Sequence, residues 1–172
     1  MNGNPMIRIP LLSGIGACLA LSANANVPAF NVVGGGQLPS LRVTTDTTML
    51  AMKQKDEQAV RSVVERYLHG LKFNDVSSLR SAFWPEAKLF FVKRDGSLGQ
   101  LSQEEWYRGF VSSAGKEEEG DLRVATIEVV GDIASVKVVE TYPKSVYVDY
   151  LSLLRLKGQW IIVNKVYTSY PR

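Results

Sequence analysis

Across 172 residues the chain has one cysteine, Cys18, and one histidine, His69. A closed zinc site takes its ligands mainly from these residue types, and Ser-His-Asp or Cys-His catalysis sets a histidine beside its nucleophile. One of each leaves neither chemistry well supplied. Counting about 100° per residue along the helix that carries it puts His69 nearly opposite the apolar stripe, on the solvent side; no metal site is expected. Cys18 lies in an apolar N-terminal run, so the domain beyond it has no thiol for a disulfide or a thiolate nucleophile. Strong charge of one sign is missing too, with 20 basic residues against 17 acidic. Lys93-Arg94 is the only adjacent basic pair and no basic helix face interleaves with aromatics, so the chain lacks the electrostatic footprint of a nucleic-acid binder. Gly34-Gly35-Gly36 is not followed by a helix start, which removes the one candidate for a phosphate-cradling loop. No cofactor is expected.

The apolar, uncharged run Ile9 to Ala23 is about fifteen residues and contains Pro10, whereas a bilayer crossing needs about twenty. Arg8 precedes it and Ala23-Asn24-Ala25 follows, the small-x-small spacing of a signal-peptidase site. Residues 1–25 therefore read as a secretory signal, and the mature protein as secreted or periplasmic. Ile15-Gly16-Ala17-Cys18 resembles a lipobox, so the alternative is a lipid anchor on Cys18; the apolar Leu19-Ala20-Leu21 continuing past it favours the plain signal core. Removing the signal deletes one basic residue, leaving 19 against 17. Residues 26–51, with Pro28, Pro39, three glycines and a Thr-rich run, show no sustained period and read as a linker or arm.

From Asp56 the pattern sharpens. Val60, Val63, Val64, Tyr67, Leu68 and Leu71 form one apolar stripe of an amphipathic helix. Gly70 and Asn74-Asp75 mark its exit, and Asp75 caps a short second helix before Pro85. Alternation over Ala87 to Lys93 and a tight turn at Asp95-Gly96 predict a hairpin. Ser102 with Glu105 makes a capping box for a third helix. Strands then follow at Leu122 to Val130, Ile133 to Tyr142, Tyr147 to Leu156 and Trp160 to Tyr167, too closely spaced for crossover helices. The expected fold class over residues 52–172 is α+β, a curved antiparallel sheet packed against three N-terminal helices.

The segment Val63 to Leu71, then Leu79 to Phe83 with Pro85 to Leu89, resembles the opening of the nuclear transport factor 2-like superfamily. The closing stretch Val148 to Leu154, followed by Gly158 to Val166, resembles its "putative lumazine-binding" subgroup, which is SnoaL-like. The resemblance implies a cone-shaped fold, usually a homodimer, with a pocket between the concave sheet and the helices. Related cones include polyketide cyclases and ketosteroid isomerases, in which a pocket carboxylate moves a proton.

A turn centred between Lys144 and Ser145 would pair Tyr142 with Tyr147, Glu140 with Asp149, Val138 with Leu151 and Val136 with Leu153, and put Asn164 beside Leu151 and Ile162 beside Leu153. Strict alternation along strands sets all of these on one face, polar at one end and apolar at the other. Paired carboxylates repel, and when half-buried one holds its proton, which is how a general acid or base is tuned. Asp149 and Glu140 are thus the catalytic candidates if the protein is an enzyme. The competing reading places both at a wet rim, or ties Asp149 to Lys165 or a backbone amide. Trp84, Phe91, Tyr142, Tyr147, Asp149, Leu151 and Asn164 are the candidate ligand-binding set, aromatic walls suiting a flat ligand. The function expected is noncovalent binding of a small organic ligand of unknown identity. The alternatives are a metal-free cyclase or isomerase with Asp149 as base, and a dimerisation domain with a vestigial pocket.

Overall fold

The computed structural model describes residues 41–172, with side chains from residue 47 onward. The expected signal at residues 1–25, Cys18 and the glycine run at Gly34–Gly36 lie outside the described residues. Helix α1, Leu41–Lys72, begins earlier than expected and includes the end of the segment read as an arm. Met49, Leu50 and Met52 there are exposed, so this first stretch is not held by burial. Burial starts with the stripe: Val60, Val63, Val64, Tyr67 and Leu71 all face the core. The helix exits through Asn74 at φ 51°, and Asp75 accepts from the Ser77 and Ser78 amides to cap α2, Val76–Ala82.

Strands β1, Phe83–Val92, and β2, Leu98–Ser102, form a hairpin whose turn contains Gly96 at φ 81°. The capping box of Ser102 and Glu105 starts α3, Gln103–Tyr107, which continues as a 3-10 turn over Arg108–Ser113. Strands β3, Asp121–Val130, β4, Ile133–Tyr142, β5, Ser145–Leu156, and β6, Gln159–Pro171, complete one curved, unclosed sheet in the order β2-β1-β6-β5-β4-β3. The class is α+β, as the element order implied. One junction, β1 with β6, is parallel, so the sheet is mixed. Val136, Val138, Leu151, Leu153 and Ile162 on its concave face pack against Val60, Val64, Tyr67, Leu79 and Phe83. Among the described residues no helix is long and apolar enough to cross a membrane.

Two registers differ from the expected ones. The β4–β5 turn is Pro143-Lys144 alone, so Tyr142 pairs with Ser145, Glu140 with Tyr147, Val138 with Asp149 and Val136 with Leu151. A slip of two residues preserves which face each side chain occupies. Glu140 and Asp149 remain on one face but lie diagonally rather than opposite. Between β5 and β6 the pairing Leu153 with Ile162 is as expected, but a bulge follows, and Leu151 meets Lys165 while Asn164 pairs with Ser152. The extra residue turns Asn164 to the other face and brings Lys165 in.

Gly70 lets α2 approach α1, since a Cβ there would stand 2.5 Å from Leu79 Cδ2 and 3.0 Å from the Asp75 carbonyl oxygen. Alanine would gain about 1 kcal/mol of helix propensity and meet an overpacking cost of about 1–3 kcal/mol. With backbone among the atoms struck, the second term dominates. Gly70→Ala is expected to lower the urea midpoint by the equivalent of about 1–2 kcal/mol, whereas Gly109→Ala, with open space around its Cβ, is expected to leave it unchanged.

Candidate functional site

The polar end of the concave face is a buried cluster assembled from four elements. Tyr67 arrives on α1, Glu140 on β4, Asp149 on β5 and Lys165 on β6. Asp149 is fully buried, and Glu140 and Lys165 are almost so. The Lys165 ammonium lies 2.6 Å from Asp149 Oδ2 and donates to the Tyr67 hydroxyl at 2.6 Å. Tyr67 donates to Asp149 Oδ2, and its hydroxyl stands 3.0 Å from Glu140 Oε1. Tyr142 donates to Glu140 Oε2 at 3.3 Å. Asp149 Oδ1, buried like the rest of its side chain, has no partner among the described residues.

Lys165 is also surrounded by rings. Its ammonium is 5.0 Å from the Tyr167 centroid, 5.1 Å from Tyr67 and 5.3 Å from Trp106, within reach of cation–π attraction. Burial first, and then the nearby Asp149 charge, push the Glu140 carboxyl well above the usual carboxylate range, with Lys165 opposing. A protonated Glu140 leaves the interior with one anion and one cation. Its proton can then go to the Tyr67 oxygen, whose own hydrogen goes to Asp149, or directly to Asp149, with which the Glu140 carboxyl also makes a side-chain hydrogen bond. Burial and the same two acids hold Tyr67 and Tyr142 as neutral phenols.

Aromatic rings border the cluster, Tyr142 buried and Phe91, Tyr147 and Tyr167 half-buried. Tyr142 and Tyr147 meet edge to face at 5.9 Å, and Phe91 lies 5.2 Å from Tyr167, whose hydroxyl is pushed by burial up to about 12. Gly99 makes room for Phe91, because a Cβ there would be 2.5 Å from the ring. Asp149, Glu140, Tyr142, Tyr147 and Phe91 are therefore gathered at one end of the sheet, and Leu151 packs beneath them in the core. Asn164 is not brought in, for the register reason given above. Trp84 is not brought in either: it is 43% exposed and lines a separate groove. His69 is exposed, 3.7 Å from Asp75.

Sequence reasoning missed Tyr67 and Lys165 as members of the site. Tyr67 carried a signal, since a tyrosine inside an otherwise aliphatic stripe brings a hydroxyl that needs a buried partner. Lys165 was named only as a possible tie for Asp149, and the bulge that turns it inward leaves no mark in the alternation of Trp160, Ile162 and Asn164. Among the described residues, no group of three or more acidic, histidine or cysteine side chains is arranged to hold a metal ion.

A curved, unclosed sheet roofed by helices, with its polar groups at one end of the concave face, defines a nuclear transport factor 2-like domain. Two solved structures of nuclear transport factor 2-like proteins of unknown function are similar. One, from Shewanella baltica, has 25% identity and a TM-score of 0.63 over 69% of this chain and 96% of that one. The other, from Silicibacter pomeroyi, has 25% identity and a TM-score of 0.60 over 68% and 98%. A cystatin-like protein from Nostoc punctiforme shares the fold at 16% identity, with a TM-score of 0.50 over 67% and 92%. No curated protein matches the chain. The family described as "Putative lumazine-binding" matches residues 55–168, and the chain belongs to it.

Glu140 sets a pH dependence with a definite sign. Its folded-state value is raised, so the folded protein holds a proton that the unfolded chain gives up above the ordinary value of about 4.3. Stability contributed by this group is present below that value and falls as pH rises from there toward the raised one. In Glu140→Gln, whose amide stays neutral, thermal unfolding followed from pH 4 to pH 8 is expected to show a flatter decline than the wild type. An identical slope would mean that Glu140 is ionised in the folded state.

Proposed function

We propose that this domain binds a flat organic ligand noncovalently at the Asp149 end of the concave face. The observation that carries the reading is Asp149 Oδ1, a buried carboxylate oxygen without a donor. An unsatisfied buried acceptor costs about 1–3 kcal/mol, and a ligand N–H or O–H would recover that cost. Phe91, Tyr142, Tyr147 and Tyr167 stand where a flat heterocycle would lie, and lumazine, whose name the family bears, is flat and carries ring N–H groups. Asp149 has no exposed surface, so a ligand reaches it by parting these rings.

The same geometry weighs against the proton-transfer alternative. Asp149 is engaged by an ammonium and a phenol, both at Oδ2, and taking a substrate proton on Oδ1 would discharge the carboxylate that balances the buried Lys165 ammonium. We also read the protein as an exported homodimer, secreted or periplasmic through residues 1–25, or held to a membrane by a lipid on Cys18. The convex face supports the dimer: Tyr150 and Val166 are register partners there, 52% and 49% exposed, with Val92 and Leu98 paired farther along the sheet.

Asp149→Asn alone is expected to cost up to about 3–5 kcal/mol, because it removes the 2.6 Å partner of the buried Lys165 and leaves only Glu140, 4.0 Å away, to balance it. Asp149→Asn with Lys165→Met removes both charges and should recover most of that loss, giving a folded variant for binding tests. Titrated calorimetrically with lumazine, the wild type is expected to saturate at one site per chain, and the double variant to bind at least tenfold more weakly. Phe91→Ala should weaken binding about threefold to tenfold through loss of ring contact. Absence of saturable binding, or affinity unmoved by both changes, overturns the assignment. For the dimer, Tyr150→Arg with Val166→Arg is expected to shift the sedimentation coefficient from dimer to monomer; a coefficient indifferent to these charges removes the convex face as the interface.

A further inference from the structure

Away from the Asp149 cluster, α1, the first residues of β1 and the β5–β6 turn bound an open groove of about 880 Å³, within the range of small-molecule sites. None of Tyr67, Glu140, Asp149 or Lys165 lines it. Its cations are Arg66, Arg155 and Lys157, and among the described residues no aspartate or glutamate is in the lining.

The three cations are not equivalent. Arg155 is committed, 2.8 Å from Asp56 and 2.6 Å from Asp132, with its guanidinium 5.4 Å from the Trp160 ring. It positions the indole rather than offering free charge. Arg66 has one weak hydrogen bond, to the Ser62 carbonyl at 3.4 Å, and Lys157 sits at the tip of the turn at φ 50°. Neither forms an ion pair among the described residues.

Two tryptophans, Trp84 and Trp160, are among the remaining lining residues. From Phe83 to Lys88 β1 takes five steps while β6 takes two, Ile162 to Asn164. Pro85 cannot donate to a ladder, and Trp84, one residue on from the inward Phe83, is exposed. Trp160 is buried in the groove wall, and its Nε1 has no acceptor. A buried indole N–H normally finds one.

We infer that this groove is a second binding site, for a planar aromatic carboxylate. The ring lies on Trp84 and the carboxylate is met by Arg66 and Lys157, with the buried Trp160 indole as part of the wall behind them. The site is independent of the one at Asp149, since it shares no residue with it. A ligand here would be selected by negative charge, whereas the concave site selects for a hydrogen-bond donor.

The test uses the full chain and 2-naphthoate, followed through the indole N–H resonances of Trp84, Trp106 and Trp160, the three tryptophans of the chain. Saturable shifts are expected for Trp84 and Trp160 with Trp106 unmoved. Arg66→Glu with Lys157→Glu, both at exposed positions, should weaken binding at least tenfold, as should replacing the probe by neutral 2-naphthol. Trp84→Ala, a separate variant at an exposed ring, should also weaken it. Equal affinity for naphthoate and naphthol, indifference to the charge reversal, or no saturable shift would each overturn the inference. Movement of Trp106 alone would do so as well, by putting the probe beside Lys165. The double variant at Asp149 and Lys165 should leave naphthoate binding intact, so failure of either site is recognisable without the other.

Discussion

The ion pair of Lys165 and Asp149 is the contact on which the rest of this architecture turns. Taking two charges out of water costs several kcal/mol per ion, and the interior offsets this only through additional hydrogen bonds and ring faces. Tyr67 supplies the first, bridging Lys165, Asp149 and Glu140 through one hydroxyl. Tyr167, Trp106 and the Tyr67 ring itself supply the second. Because these groups come from α1, β4, β5 and β6, the arrangement is complete only when helix and sheet are docked in one register. Apolar burial alone would tolerate small slides between them, whereas a buried charge pair does not.

The same cluster explains why a protein with two inward carboxylates need not be an acid–base catalyst. Burial and the neighbouring Asp149 charge raise the Glu140 carboxyl well above the usual carboxylate range, and Asp149 has an ammonium partner. What remains unsatisfied is a single oxygen, Asp149 Oδ1. An acceptor of that kind, fixed behind a border of aromatic rings, suits recognition of a donor on a flat molecule. Polar groups elsewhere serve different ends. On the groove beside the β5–β6 turn, charge of one sign is left uncommitted at the surface, and the selectivity there is electrostatic.

How far these features were legible from the residues depended on their range. The α1 stripe, the Asp75 cap, the Ser102–Glu105 capping box and the turn at Asp95-Gly96 are encoded within a few positions, and each stands where its local chemistry put it. The β4–β5 pairing was read two residues out of place because a turn at Pro143 can close over two residues or four with little change in composition. Parity saved the face assignment: Glu140, Tyr142, Tyr147 and Asp149 stay together under any even slip. The bulge between Ser152 and Leu153 had no such protection, and one extra residue exchanged Asn164 for Lys165. Trp84 falls outside the site because it follows the inward-facing Phe83 and so points to the opposite side of β1.

Sequence alone settled the class of fold and the faces of β4 and β5, since helical period, capping and alternation act over distances the chain itself spans, whereas the bulge in β6 reversed the faces of Asn164 and Lys165. Tertiary structure alone decided which of those residues touch. Whether Asp149 meets a second carboxylate, a phenol or an ammonium depends on turn closure, on a one-residue bulge and on the height at which α1 crosses the sheet. Those are settled by packing among segments up to 98 positions apart, as in the bond from Lys165 to Tyr67, and no local pattern carries them.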